Sequence, residues 1–263
     1  MPSKPSMCDD PVVLDLWHPV AAVDELRVDD ASSTMLLGVP IDVGLRPDGT
    51  PFVTATDDSV EFATRVEYGY VWACPGTPPA RVFEIPEALE PDRRILNAGS
   101  IKVATSAPRA VENFLDMGHF PYVHTGILGE EPRTEVVDYR AEVEHGEVWA
   151  RECQFYQPVA AASAESGQMT DYTYRVPHPY CVLLYKTAPS DPTRRDVIGL
   201  FVQAMTAESI RAHNFLCMVD ETTSDTGLRR FQQMIFSQDK PILENQYPKR
   251  LPLDPRVETC LLY

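Results

Sequence analysis

The chain has 263 residues, of which 44% are hydrophobic and 24% are charged. This length and apolar content are sufficient to bury a sizeable core, which disfavours a disordered chain. The formal charge of −16 disfavours nucleic acid and anionic membranes as partners, because an acidic surface repels phosphate groups. The same charge suits a partner with a basic face, or serves solubility alone.

Neither a membrane segment nor a targeting peptide is visible in the sequence. There is no run of about 18 apolar residues, and the N-terminus lacks a basic segment followed by an apolar one. The six cysteines are scattered without a CxxC pair, which disfavours a disulfide framework. We therefore expect a cytoplasmic protein with reduced thiols.

Residues 1–90 predict short β-strands joined by tight turns. Apolar runs at 34–39 and 68–73 alternate with turn sequences such as Arg-Pro-Asp-Gly at 46–49. We assign residues 1–90 to a β domain and residues 91–263 to a second domain. The second domain begins with a short helix, for which Ser106 is the predicted N-cap and Gly118 and Pro121 form the predicted end.

From residue 134 to 219 the apolar pattern changes to a period of two. Six segments are predicted as strands: 134–144, 147–156, 171–176, 180–186, 196–204 and 208–219. In the second of these, the alternation places Trp149, Cys153 and Phe155 on one face and Ala150 on the other. The short breaks between the segments favour an antiparallel sheet.

Residues 224–247 return to helical spacing. The predicted apolar stripe consists of Leu228, Phe231, Ile235 and Ile242. The predicted fold class is therefore α+β, with an antiparallel sheet covered by a long C-terminal helix.

Two of the six histidines stand in a distinctive segment. Asn113, Asp116 and His119 recur at i, i+3 and i+6, so a continuous helix would place them on one face. His124 follows beyond the break at Pro121 and can fold back beside His119. Asp116 can accept the ring N–H that metal binding leaves free on a histidine. The alternative is two ordinary histidines at a helix end.

The remaining histidines have simpler interpretations. His18, His145 and His178 lie in predicted loops or turns, where surface or hydrogen-bonded histidines are more common than metal ligands. His213 alternates into a predicted strand and could line a pocket. The sequence contains no HExxH, P-loop, GxGxxG or GxSxG motif and no CxxC zinc pair.

Asp239 lies on the predicted apolar stripe of the C-terminal helix, where an unpaired carboxylate would be costly. A divalent metal would remove that cost. Two imidazoles and one carboxylate leave coordination positions open, which is typical of mononuclear Fe(II) sites that activate O2. The alternatives are a carboxylate paired with Lys240 or Arg250, and a metal site that uses Glu244 instead.

Residues 112–124 resemble the NxxDxxHxxxxH iron motif of the catalytic α-subunits of Rieske non-haem iron oxygenases. Residues 238–244 resemble the region that supplies the carboxylate ligand of that family, and residues 17–21 resemble the start of its N-terminal domain. The resemblance implies a helix-grip, START-like catalytic domain.

The same resemblance implies roles for individual residues. It implies mononuclear Fe(II) held by His119, His124 and Asp239. It also implies that Asp116 orients a ligand and bridges the route by which electrons enter, with Asn113 supporting the same network.

The chain departs from this family in its N-terminal domain, which normally holds a [2Fe–2S] cluster through CxH and CxxH motifs. Between Val20 and Ala73 there is no cysteine and no histidine. Cys74 alone cannot supply the four ligands that a cluster needs. Residues 1–90 are therefore predicted to be a degenerate Rieske-like β domain without a cluster, and electrons must arrive from another protein.

This combination resembles the bacterial purine N-demethylases, and within them the N7-demethylating component of caffeine breakdown. Residues 106–109, 171–180 and 241–255 carry that resemblance, which fades after Arg256, where such chains usually add a further helix. It implies oxidative conversion of a methylated purine, 7-methylxanthine, to xanthine and formaldehyde.

The resemblance also implies partners. These are a Rieske-containing reductase that uses NADH, related oxygenase subunits and a glutathione-S-transferase-like structural subunit. Two alternatives stay open: an O-demethylase or hydroxylase of another aromatic substrate, and a non-catalytic subunit that binds a ligand or scaffolds a complex.

Overall fold

The structure is a computed structural model that describes residues 8–57, 59–164, 166–254 and 256. Residues 257–263, over which the sequence analysis expected the family resemblance to fade, lie outside the described residues. No helix in the described part of the chain is both long and apolar enough to cross a membrane.

The N-terminal region begins with a short helix, α1 (Pro11–Leu14), and contains 3₁₀ helices at Val23–Glu25 and Pro86–Leu89. Its strands are β1 (His18–Ala22), β2 (Ser32–Leu36), β3 (Val39–Leu45), β4 (Pro51–Ala55), β5 (Ala63–Glu67) and β6 (Tyr70–Cys74). They form two antiparallel sheets of three strands, in the orders β1-β6-β5 and β2-β3-β4.

Seven further strands form one antiparallel sheet in the order β7-β13-β12-β11-β10-β9-β8. They are β7 (Arg94–Val103), β8 (Arg140–Glu144), β9 (Glu147–Gln157), β10 (Gln168–His178), β11 (Cys181–Ala188), β12 (Asp191–Thr206) and β13 (Ser209–Met218). Between β7 and β8 lie α2 (Ala107–Leu115) and α3 (Phe120–Val123), and α4 (Asp225–Asn245) follows β13. The predicted α+β class is confirmed. The domain boundary near residue 90 stays a prediction.

The two faces of the large sheet have different neighbours. On one face, Leu183, Phe201 and Phe215 pack with Tyr70 and Trp72 of the N-terminal region in an aromatic core. The residues that alternate with them on β11, β12 and β13 face the other way and line a cavity beneath α4. The cavity therefore lies between the sheet and the C-terminal helix.

Helix α4 is anchored along strand β7. Ser224 caps its first turn by accepting a hydrogen bond from the Gly227 N–H. Three of its side chains donate to backbone carbonyls of β7: Arg229 to Asn97, Gln233 to Ala98 and Lys240 to Lys102. These bonds fix the rotation of α4 about its axis and so decide which of its residues face the cavity.

That rotation differs from the predicted one. The buried residues of α4 are Leu228, Gln232, Phe236, Asp239 and Leu243. Ile242, assigned to the buried stripe from the sequence, is 47% exposed, so that assignment was wrong. Apolar character alone misplaced the stripe, because its true centre includes the polar residues Gln232 and Asp239.

The region after α2 also differs from the prediction. Ser106 occupies the N-cap position, but its hydroxyl makes no capping hydrogen bond. Helix α2 ends at Leu115 with Asp116 as the C-cap, rather than at Gly118 and Pro121. Pro121 instead lies in the first turn of α3, where its missing N–H is not needed. The predicted continuous helix from residue 113 to 119 is therefore wrong.

Strand β9 contains an irregularity that the predicted alternation missed. Glu152 has a positive φ of 64°, and the register with β10 shifts beside it. Trp149 consequently packs towards the aromatic core, whereas Ala150, Cys153 and Phe155 pack on the opposite face. The strand predicted from residue 134 begins only at Arg140.

Three of the four remaining histidines also depart from expectation. His18 is fully buried in β1 rather than in a loop, and its Nε2 lies 2.8 Å from the Val13 carbonyl oxygen. His178 adjoins the predicted turn and accepts a hydrogen bond from the Tyr180 N–H, but it is buried at the end of β10. His213 is buried in β13 with Nδ1 2.9 Å from Ser100 Oγ, away from the cavity lining. His145 lies at an exposed hairpin turn, as predicted.

Candidate metal centre

Three side chains from two elements converge beside the cavity. His119 and His124 lie at the two ends of α3, and Asp239 lies on α4. The Nε2 atoms of the two histidines are 3.1 Å apart. Asp239 Oδ1 lies 3.0 Å from His124 Nε2 and 3.4 Å from His119 Nε2. Their side chains are 13%, 1% and 11% exposed in chain order, so water has little access to this point.

Hydrogen bonds on the far side of each ring fix the histidine tautomers. His119 Nδ1 lies 3.2 Å from Asp116 Oδ2, and His124 Nδ1 lies 2.9 Å from Gln238 Oε1. A carboxylate and an amide oxygen can only accept hydrogen bonds, so both Nδ1 atoms carry hydrogen. In a neutral imidazole the other nitrogen then presents a lone pair. Both Nε2 lone pairs therefore point towards Asp239.

This arrangement brings three acceptor atoms together without a donor. Asp239 Oδ1 is buried and has no hydrogen-bond partner. Such atoms repel one another unless a cation lies among them. Two ligands about 2.1 Å from a divalent ion and at right angles to each other are about 3.0 Å apart, which matches the observed spacing. The donor set therefore fits one divalent metal ion and leaves positions open on the cavity side.

A proton is the other cation that could relieve this repulsion. Burial by itself would lower the pKa of His119, but the Asp116 and Asp239 carboxylates outweigh burial and raise this pKa to about 9. Burial would raise the pKa of Asp239, but the two histidines outweigh it and lower this pKa. The site is thus built to attract positive charge.

The structure brings Asp116, His119, His124 and Asp239 together, as the sequence analysis predicted. Asn113 lies on α2 and lines the adjacent cavity. The assignment of these residues to metal binding and catalysis remains a prediction.

The alternative pairings for Asp239 do not occur. Lys240 pairs with Glu244, and Arg250 pairs with Glu208. Glu244 also accepts a hydrogen bond from the Ala104 N–H, away from the histidines. The structure therefore favours Asp239 as the carboxylate of the cluster.

The sequence analysis gave no role to Gln238, which orients His124. Neighbouring residues on a helix point about 100° apart, so the position of Asp239 gave no reason to expect Gln238 in the same cluster. The only sequence signal for Gln238 was that it is a polar residue next to an acid predicted to be buried.

The cavity beside this cluster is lined mainly by apolar and aromatic side chains, among them Phe120, Tyr172, Tyr174, Phe231 and Phe236. Among its described lining residues, Lys186 is the only lysine or arginine. Lys186 donates a hydrogen bond to the Ala160 carbonyl and lies directly opposite Asp196 in the register of β11 and β12. Its ammonium group therefore already has a hydrogen-bond acceptor and a carboxylate nearby.

Comparison with known proteins places this site in context. Residues 103–262 match the family model of the vanillate O-demethylase oxygenase C-terminal domain. Probable methylxanthine N7-demethylase NdmC of Pseudomonas sp. (strain TJI-51) is 46% identical over 249 residues, which cover 94% of this chain and 88% of that protein. Methylxanthine N3-demethylase NdmB of Pseudomonas putida is 28% identical over 201 residues, which cover 71% of this chain and 52% of that protein.

The fold also matches solved structures. NdmA of Pseudomonas putida CBB5, solved with caffeine, superposes with a TM-score of 0.75 at 16% sequence identity. The superposition covers 95% of this chain and 86% of that chain. At this identity the match shows a shared fold.

Proposed function

Because the chain belongs to the Rieske-type non-haem iron oxygenases that act as demethylases, we propose that it removes the N7-methyl group of a methylated purine, with 7-methylxanthine as the substrate. The relative that is 46% identical is named as a methylxanthine N7-demethylase, which supports this assignment. The observation that carries the proposal is the convergence of three acceptor atoms, 3.0 to 3.4 Å apart, at the end of an apolar cavity.

We infer that His119, His124 and Asp239 hold the metal. One ferrous ion bound there would supply activation of O2. Asp116 and Gln238 keep the two imidazoles in the tautomer that offers Nε2 to the ion. The aromatic side chains of the cavity hold a flat ring beside the site and exclude water from it.

The overall reaction balances with one O2 and two electrons. One oxygen atom enters a C–H bond of the N-methyl group, and the other leaves as water after taking up two electrons and two protons. The resulting N–CH2OH group loses its C–N bond, which gives formaldehyde and a ring N–H. The chain must therefore receive electrons in every turnover.

The proposed electron source is a separate protein. Cys74, one of the two cysteines in residues 1–90, is buried, and its thiol donates to the Leu14 carbonyl. A Rieske-containing reductase that uses NADH would supply the electrons, as the family resemblance implies. Related oxygenase subunits and a glutathione-S-transferase-like subunit are the further partners that we propose.

The cavity favours a neutral substrate over an aromatic acid. A methoxybenzoate would bring a carboxylate into a cavity that already holds Asp196 and Asp239. Lys186 is not free to pair with it, because this side chain is buried and donates to the Ala160 carbonyl. An uncharged purine avoids this desolvation and repulsion. The preserved cluster likewise argues against a purely scaffolding subunit.

The test is reconstituted turnover. The purified chain is loaded anaerobically with Fe(II) and mixed with NADH and a Rieske-bearing reductase. It is then supplied with 7-methylxanthine, other methylxanthines or methoxybenzoates. Formaldehyde and xanthine should form together from 7-methylxanthine, and a reductase without a Rieske centre should support neither. Turnover of methoxybenzoates alone would replace this proposal with the O-demethylase alternative.

A matched pair of variants tests the site itself. Asp239→Asn keeps the shape of the side chain but removes the negative charge facing both histidines, so iron content and turnover should fall together. Asp171→Asn is the control, since Asp171 is exposed on β10 and binds Gln154 instead. Full iron retention by Asp239→Asn would contradict the proposed ligand set.

A further inference from the structure

Three polar atoms of the cavity wall have no function in the metal centre. Gln157 Oε1 and the hydroxyls of Tyr172 and Tyr174 are buried without a hydrogen-bond partner. The three residues are only 1%, 2% and 1% exposed in that order, and all line the cavity. Buried polar atoms in native proteins are nearly always paired. Three unpaired polar atoms in the lining of one cavity therefore indicate a ligand that would form hydrogen bonds with them.

The three residues lie on the same face of the sheet. Tyr172 is the register partner of Cys153, and Gln157 lies four residues beyond Cys153 on β9. The rings of Tyr172 and Tyr174 are 6.0 Å apart. All three line the same cavity, and we call them together the polar wall, defined as Gln157, Tyr172 and Tyr174.

One aromatic side chain connects the polar wall to the metal centre. The Phe120 ring lies 5.1 Å from the His119 ring and 6.5 Å from the Tyr172 ring. A ligand that contacts Tyr172 can therefore reach the metal centre if it is about the size of a fused two-ring compound.

The chemistry of the polar wall is neutral and mixed. Burial raises the pKa of both tyrosines, so their hydroxyls stay protonated and can donate hydrogen bonds. Gln157 Oε1 can only accept. The complement of this wall is an uncharged ring system whose edge carries both a carbonyl group and an N–H group.

We propose that Gln157 is a specificity-determining residue that accepts a hydrogen bond from a free ring N–H of the substrate, while Tyr172 and Tyr174 donate to a ring carbonyl. The inference rests on the proposed function. A 7-methylxanthine ring keeps N–H groups at N1 and N3, whereas caffeine is methylated at both. Caffeine would leave the Gln157 oxygen buried and unpaired, and sites that bind a substrate N–H reject analogues that lack it.

Equilibrium binding tests this proposal separately from turnover. Calorimetry measures the dissociation constants of 7-methylxanthine and caffeine for the iron-loaded protein and its variants. Gln157→Met removes the acceptor at similar volume. It should weaken the binding of 7-methylxanthine by about tenfold or more and change the binding of caffeine by less than about threefold. The variant therefore loses the ability to discriminate between the two ligands. Gln154→Met, on the exposed face of the same strand, should change neither value.

A second variant keeps the proposal testable if Gln157→Met folds poorly. Tyr172→Phe removes one donor and little volume. Both ligands carry ring carbonyls, so their affinities should fall together, by about fivefold or more. Unchanged affinities in Tyr172→Phe would overturn the tyrosine assignment. Unchanged discrimination in Gln157→Met would overturn the glutamine assignment.

The outcomes separate this inference from the function on which it rests. If the parent protein demethylates 7-methylxanthine but Gln157→Met discriminates as well as the parent, only the specificity assignment fails. If the parent protein neither binds nor demethylates any methylxanthine, the proposed function fails and this inference fails with it.

Discussion

Gln238 offers a direct test of the tautomer argument for the metal centre. Its Oε1 lies 2.9 Å from His124 Nδ1 and is the group that holds hydrogen on that nitrogen. Gln238→Met removes the acceptor while keeping an unbranched side chain of similar length. We expect the variant to fold normally and to bind a divalent metal more weakly than the parent.

The expected loss can be worked out from the two states of His124. Without metal, the ring in the variant can move its hydrogen to Nε2 and donate to Asp239, 3.0 Å away. Metal binding requires the Nε2 lone pair, which forces the hydrogen back onto Nδ1, where it has no acceptor. Leaving a buried N–H unpaired costs about 1–3 kcal/mol. That range includes the 10- to 100-fold loss of metal affinity typical of removing such a partner, about 1.4–2.7 kcal/mol.

The assay is anaerobic titration with Fe(II) in competition with a chelator of known affinity. Gln238→Glu keeps an acceptor oxygen and adds negative charge, so it should bind metal at least as tightly as the parent. Gln154→Met is the matched control, because Gln154 is exposed on β9 and donates to Asp171 instead of meeting a histidine. Parental affinity in Gln238→Met, or an equal loss in Gln154→Met, would refute the tautomer argument.

Other positions give further tests. His124→Ala should abolish iron retention, whereas His145→Ala, with a side chain 91% exposed, should keep the parental iron content in elemental analysis. Arg175→Met should lower the free energy of unfolding in urea by about 3 kcal/mol. The substitution leaves the Glu147 carboxylate without the guanidinium group that now donates two hydrogen bonds to it, of 2.6 and 2.7 Å. Burial lowers the pKa of Lys186 from 10.5 to about 8. Between pH 8 and pH 10.5, the unfolded chain therefore holds a proton on this side chain that the folded protein has largely lost. Parental stability relative to Lys186→Met should therefore rise by about 3 kcal/mol from pH 8 to 10.5, and parallel pH profiles would contradict this.

The parts of the site that sequence reasoning could predict are local ones. His119 and His124 lie five residues apart around a proline, so even a rough picture of the segment brings them close. Asp239 was identifiable because an acid among apolar helical positions needs a reason to be there. The first inference depends on closeness along the chain, and the second on the cost of burying charge.

The parts that could not be predicted depend on tertiary contacts. The rotation of α4 is set by bonds from its side chains to β7, which no periodicity reveals. The same holds for β9, where the positive φ at Glu152 reverses the alternation of the side chains. Gln157 Oε1 gains its significance only from having no partner, which is a property of the folded protein.

The breaks in helical structure around α3 explain how the two histidines can meet at one site. A helix that continued from His119 through His124 would turn through about 500° over these five residues and leave the two side chains about 140° apart around the axis. The chain instead leaves the helix at Asp116, makes the single turn of α3, and gives His124 a non-helical φ of −112° and ψ of 36°. The exit also lets the Asp116 carboxylate accept the Gly118 N–H while it faces His119. Loss of regular structure at this point is therefore what allows two nearby histidines and their orienting acid to meet Asp239 at one site.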